Sequence, residues 1–184
     1  MNSKKLFVIF PGMGYTKDKP LLYYAIKIAR NKGYEIVDID YTLFFTAAKF
    51  DDAEVDAKIE KAYAMVVKKL GTVDFKAYDT VVFAGKSMGT MLAARYAEEY
   101  GVEAEQLWYT PLEPTYEHGC REAIAFIGTK DPFSDVVKMG ETAKAQGIPL
   151  YVYEGGNHSL ETKDVEADIK TLEDVMMRTE EFLK

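Results

Sequence analysis

The 184-residue chain is 48% apolar and 29% charged, with a formal net charge of −7. That length suits one sizeable core; no apolar run is long enough to span a membrane, and the scattered basic residues form no phosphate-neutralising patch, so neither a membrane nor nucleic acid is an expected partner. The single cysteine, Cys120, excludes an intrachain disulfide and fits a reducing compartment, so a cytoplasmic location is expected.

The first apolar run, residues 6–10, is too short for a secretory signal core and reads as a strand. A glycine loop, Pro11-Gly12-Met13-Gly14, follows it, and then Leu22, Ala25, Ile26 and Ala29 share one helical face. A second strand is expected at 34–38. Beyond it Leu43, Phe44 and Phe45 cluster beside a helix start, where Asp51 and Glu54 have the spacing of a capping pair. That cluster suits a substrate-facing flap or buried core equally well. Ile59, Tyr63, Val66 and Leu70 form the next helical face, and a strand at 80–84 leads into a helix carrying Met91, Leu92, Arg95 and Tyr96. Strands at 106–109, 123–127 and 150–153 complete a set of six. Ser134 is a candidate cap for a helix from Asp135, and a last helix presents Ile169, Leu172, Val175 and Met176. Strands alternating with helices specify the α/β class: one doubly wound, mostly parallel sheet of about six strands with helices on both faces. One domain spanning 1–184 is expected, with its ligands at the carboxyl ends of the strands.

Residues 81–89 run an apolar strand into Gly85-Lys86-Ser87-Met88-Gly89 and then into a helix. Such a turn crowds its own backbone, which explains a glycine on each side, and it projects the serine as a nucleophile. Gly85-Lys86-Ser87 also invites a phosphate-loop reading, but that loop needs a glycine at position 80, which is Thr80.

A serine hydroxyl needs an imidazole to take its proton and a carboxylate to orient that imidazole. The chain has two histidines. His158, in Gly155-Gly156-Asn157-His158, follows the last strand at the same sheet edge as Ser87 and is preferred to His118, which lies in an irregular segment. Asp131 leads the carboxylates, because Pro132 favours an extended backbone that can aim its side chain into the site; Glu113 and Asp135 are the alternatives.

The order of Gly-Lys-Ser-Met-Gly, Gly-Thr-Lys-Asp-Pro and Gly-Gly-Asn-His, each after a strand, resembles the α/β-hydrolase superfamily across nearly the whole chain. The resemblance implies Ser87 as nucleophile, Asp131 as acid and His158 as base, with an oxyanion hole made by the backbone N–H groups of Met13 and Met88. Two features depart from the family pattern. Pro11 stands where many relatives have a histidine, and the chain begins at what would be the family's third strand. Residues 88–130 are also too few to hold an inserted cap domain between nucleophile and acid.

An open site is therefore expected, walled by Gly12, Tyr15, Phe44, Tyr109 and Phe133. Met88 and Met91 are expected in the core, Cys120 as an inert buried thiol, and Lys86 as a solvated side chain. The expected activity is hydrolysis of a small carboxylic ester or thioester through an acyl-enzyme on Ser87, needing neither metal nor organic cofactor. The partner would be a small acyl substrate, and the sequence leaves oligomeric state unset. The alternative is a binding module that keeps the scaffold without turnover.

Overall fold

A strand buried on both faces must be apolar along its whole length, and β1 (Lys5–Phe10) is: Leu6 to Phe10 are all inaccessible to solvent. It lies inside a sheet ordered β2-β1-β3-β4-β5-β6, in which every neighbouring pair is parallel. The computed structural model describes residues 3–45, 52–120 and 122–184. The other strands are β2 (Tyr34–Asp38), β3 (Thr80–Lys86), β4 (Glu105–Tyr109), β5 (Glu122–Gly128) and β6 (Leu150–Tyr153). The helices are α1 (Pro20–Asn31), α2 (Asp52–Leu70), α3 (Met88–Tyr100), α4 (Val136–Ala145) and α5 (Val165–Phe182).

Side-chain alternation divides the core into two layers. Phe7, Ile9, Val82, Ala84, Leu107 and Tyr109 point to the face that α1 and α5 cover. Leu6, Val8, Phe10, Val81 and Phe83 point to the opposite face and pack on α2 and α3, while Trp108, Ala125 and Ile127 continue that face toward α4. The predicted stripe on α1 is buried throughout, and so is that on α2 except for Ile59, which is partly buried. Ile169 on α5 departs from its stripe and is 62% exposed, because α5 reaches the sheet through Leu172, Val175 and Met176 farther along.

The chain first adds β2 on one side of β1 and then returns to add β3 on the other, so the strand order reverses between β1 and β3. The loops after these two strands meet at that crevice, the place where open α/β sheets bind ligands. The contact is tight. A Cβ on Gly89 would lie 2.0 Å from the Phe10 carbonyl oxygen and 2.5 Å from that of Pro11, so α3 can start against β1 only with glycine there. Gly89→Ala is expected to force the helix away from the strand at a cost of about 3 kcal/mol or more. Thermal unfolding would read this as a Tm lower by roughly 6–12 °C; an unchanged Tm would mean that the close approach does not exist.

Two expected caps fared differently. Asp135, not Ser134, caps α4, its carboxylate accepting from the Val137 and Lys138 N–H groups at 3.1 Å. Ser134 instead donates to the Pro111 carbonyl oxygen, which ties the loop after β5 to the one after β4. Asp51, of the expected pair before α2, lies outside the described residues. Between Ser87 and Asp131 the chain forms α3, β4, a short 3-10 turn (Glu113–Glu117) and β5. Among the described residues no helix is long and apolar enough to cross a membrane.

Candidate active site

β3 runs two residues beyond its expected end, so that Ser87 is the first residue past the sheet. Ser87 has φ 56° and ψ −126°, a backbone conformation that costs a side-chain-bearing residue roughly 1–3 kcal/mol and persists only where neighbours hold it. Three hydrogen bonds do so. The Ser87 N–H donates to the Tyr109 carbonyl, and the Ser87 carbonyl accepts from both the N–H and the hydroxyl of Thr90. The turn also needs Gly85, where a Cβ would meet the Thr90 backbone at 2.6 Å.

His158 and Asp131 reach the same point from two loops locked together. Gly128 passes so close to the His158 loop that a Cβ would lie 2.1 Å from the Gly156 carbonyl oxygen. Lys130 N–H donates to that same carbonyl, and Gly155 N–H to the Thr129 hydroxyl. Within the loop, the Asn157 side chain accepts from the Ser159 and Glu161 N–H groups and shapes the turn that presents His158. The Asp131 side chain is fully buried; its Oδ1 accepts from Phe133 N–H at 3.0 Å and its Oδ2 lies 2.7 Å from His158 Nδ1. His158 Nε2 lies 2.7 Å from Ser87 Oγ. With an ionised Asp131 the bonds are consistent in one sense: Nδ1–H donates to the carboxylate, and the serine hydroxyl donates to Nε2.

The loop after β1 closes the other side. Gly12 and Tyr15 exchange backbone hydrogen bonds, and the buried Tyr41 hydroxyl donates to the Pro11 carbonyl at 2.7 Å. A Cβ on Gly12 would stand 3.3 Å from Ser87 Cβ, so the loop borders the serine directly. Neither Met13 N–H nor Met88 N–H donates a hydrogen bond to any described residue.

A family model described as an alpha/beta hydrolase domain matches residues 3–184. The chain belongs to the α/β-hydrolase family. No curated protein matches it. Among solved structures it is similar to a proposed hydrolase of the alpha/beta superfamily from Xanthomonas campestris pv. campestris, with TM-score 0.68, 13% identity, and 99% of this chain and 98% of that one covered. An esterase from Pyrococcus furiosus, Pf2001, matches with TM-score 0.69 at 16% identity, over 99% of this chain and 83% of its own. An alpha-beta serine hydrolase homologue from Coxiella burnetii matches with TM-score 0.63 at 14% identity, over 96% and 85%. At these identities the likeness carries the fold alone.

Other expected site residues of this α/β hydrolase divide into rim and core. Phe133 is 66% exposed and sets its ring edge-on to His158, centroids 4.7 Å apart, and Met13 is exposed beside Gly12. Tyr109 is not a wall: it is fully buried, stacks on Phe126, and its hydroxyl pairs with Thr179. Its contribution is the backbone carbonyl that holds Ser87. Tyr15 is also buried, its hydroxyl accepting from Leu21 N–H and pushed up to about 12 by desolvation. Phe44 packs partly buried against the α2–α3 layer and Phe45 lies within it, which favours core over flap for that pair; residues 46–50 lie outside the described residues. Beside the His158 loop, Tyr15, Leu21, Ser159, Leu160, Ile169 and Leu172 help line a groove of about 160 Å³.

The residues set aside are engaged elsewhere. His118 Nδ1 lies 2.7 Å from Glu98, Glu113 pairs with Lys138, and Asp135 caps α4. Cys120 is half-buried and burial pushes its thiol up. Among the described residues no group of three or more His, Cys, Asp or Glu side chains is placed to hold a metal ion.

Lys86 overturns its expectation most sharply: it is 1% exposed, because β3 extends to include it and the Gly12–Tyr15 turn lies across it. Desolvation pulls its ammonium from 10.5 down to about 7. Between those values the unfolded chain binds a proton that the folded one does not, so this group makes stability rise with pH through that window. Lys86→Met is therefore expected to stabilise the fold at pH 7 by roughly 1–4 kcal/mol. Urea denaturation should find that gain shrinking toward pH 10; a destabilised variant at pH 7 would contradict the burial cost.

Proposed function

We propose that this α/β hydrolase cleaves a small carboxylic ester or thioester through an acyl-enzyme on Ser87. The observation that carries the reading is the single imidazole standing 2.7 Å from both the Ser87 hydroxyl and the Asp131 carboxylate. As Ser87 Oγ attacks the substrate carbonyl carbon, its proton passes to His158 Nε2, and the imidazolium so formed is stabilised by Asp131 through the Nδ1–H bond. The carbonyl oxygen becomes an oxyanion and takes the free N–H groups of Met13 and Met88, each such donor being worth ~3–4 kcal/mol in the transition state. Collapse expels the alcohol or thiol, which leaves with the proton from Nε2. Water, deprotonated by the same nitrogen, then attacks the acyl-serine and releases the acid.

The exposed Met13 and Phe133 at the rim and the groove beside the His158 loop favour a modest, partly apolar acyl or alcohol group. The name of the Pyrococcus furiosus neighbour agrees with ester chemistry. A fluorophosphonate probe tests the reading: the protein should be labelled, Ser87→Ala should not, and His158→Ala should react far more slowly. Absence of labelling, with a ligand nonetheless bound, would instead mark a binding module on the same scaffold.

A further inference from the structure

Two segments that frame Ser87 lead into one apolar groove. Ser159 and Leu160, the two residues after His158, line it, and so do Tyr15, two residues after Met13, and Leu21 in the first turn of α1. Tyr15 is tied by backbone hydrogen bonds to Gly12, where a Cβ would stand 3.3 Å from Ser87 Cβ, so the segment bordering the serine continues into the groove's lining. Leu160 holds φ 62°, a left-handed backbone that leucine adopts only under constraint. Its N–H donates to the Asn157 carbonyl, and its side chain, 3% exposed, joins Tyr15 and Leu21 in the apolar layer. The remaining lining comes largely from α5, where Val165 and Ile169, one turn apart, stand 71% and 62% exposed. Large apolar side chains are ordinary on a surface when scattered; these two share a helical face with the recess they line.

We propose that this groove receives the leaving group of the substrate, an uncharged straight-chain alcohol or thiol of about six carbons, with Val165 and Ile169 setting its length. The inference rests on the acyl-enzyme reading of Ser87 and His158. In that chemistry the departing oxygen or sulfur must lie beside His158 Nε2, because the proton taken from the serine is delivered there. The chain attached to that atom therefore continues past the loop that carries His158, and Ser159 and Leu160 are its next residues. An apolar cavity of about 150 Å³ holds a benzene-sized group, and the groove has about 160 Å³. Its charged lining residues are both carboxylates, Glu161 and Asp168, so an anionic chain is repelled where a neutral one is not.

The test measures kcat/KM by pH-stat for two ester series. In the first, acetates of straight-chain alcohols from ethanol to decanol, every member forms the same acetyl-enzyme and the alcohols leave with nearly equal intrinsic ease. Differences among them therefore report what holds the leaving group. The value should climb roughly two- to fourfold per carbon and level off at about six carbons. The second series, ethyl esters of straight-chain acids from acetate to decanoate, varies the acyl part alone. Ile169→Glu and Val165→Glu place a charge at exposed positions that the fold tolerates. Each should cut the hexyl-over-ethyl preference by about fivefold or more, while ethyl acetate and the acyl series stay within about threefold of the wild type. If one variant does not fold, the other decides. A flat alcohol series, variants that keep the wild-type slope, or variants that flatten the acyl series instead would each overturn the assignment. So would protein that a fluorophosphonate labels but that hydrolyses neither series. Protein that is not labelled at all would remove the acyl-enzyme reading itself, a result separate from any of these.

Discussion

Ser87→Ala is expected to abolish turnover of a chromogenic acetate ester, with kcat/KM falling on the order of 10⁶-fold or to the spontaneous rate, whichever is reached first. The size follows from the chemistry: without Oγ no acyl-enzyme forms, and the N–H groups of Met13 and Met88 and the rim can act only on direct attack by water. His158→Ala should cost nearly as much, since it removes the nitrogen that stands 2.7 Å from the hydroxyl to take its proton. The double variant should be no worse than either single one, because nucleophile and base act as a unit. Multiplying losses, or appreciable Ser87→Ala activity, would show that hydrolysis occurs without this pair.

Asp131→Asn should lower kcat/KM by about 10⁴-fold while leaving the fold in place. The direction comes from the two bonds its carboxylate makes. Phe133 N–H can only donate, so the asparagine must turn its carbonyl oxygen toward that group. Its NH₂ then faces His158 Nδ1, which has to become an acceptor, and the ring proton moves to Nε2. A ring protonated at Nε2 cannot take the serine proton. Rates measured beside thermal unfolding would separate this from structural damage, and a variant keeping more than about a tenth of its activity would remove Asp131 from the proposed role.

Most of the architecture was legible because its determinants are local. The doubly buried strands are short apolar runs, the crossover helices have regular faces, and the glycines at 85 and 89 mark a turn that other residues cannot make. The three side chains that meet were legible for a related reason: a parallel sheet brings the residues just past its strands to one edge, so position along the chain stood in for position in space. What escaped depends on loop shape and on partners remote in sequence. Tyr109 ends a strand at the edge where pocket residues gather, yet strand alternation turns its side chain into the α1–α5 layer. Lys86 has the chemistry of a surface residue, and its burial comes from the Gly12–Tyr15 turn, which nothing near position 86 encodes. Tyr41, which secures Pro11 through its hydroxyl, carries no motif. Asn157 was the missed residue with a readable signal, since an asparagine between glycines and a histidine is a turn former whose side chain bonds to the backbone just beyond it.

The position of β1 between β2 and β3 bears on how the polypeptide acquires its shape. Its register with β3 joins Phe10 to Gly85, a separation that the chain must close before the strand has a neighbour on that side. During synthesis the hairpin-free pair of β1 and β2 therefore waits with one apolar border unpaired until β3 emerges from the ribosome, and such long-range parallel pairing is slow to nucleate. What must be made before that border is covered is thus α2 and its flanking turns, which contribute none of the side chains proposed to react.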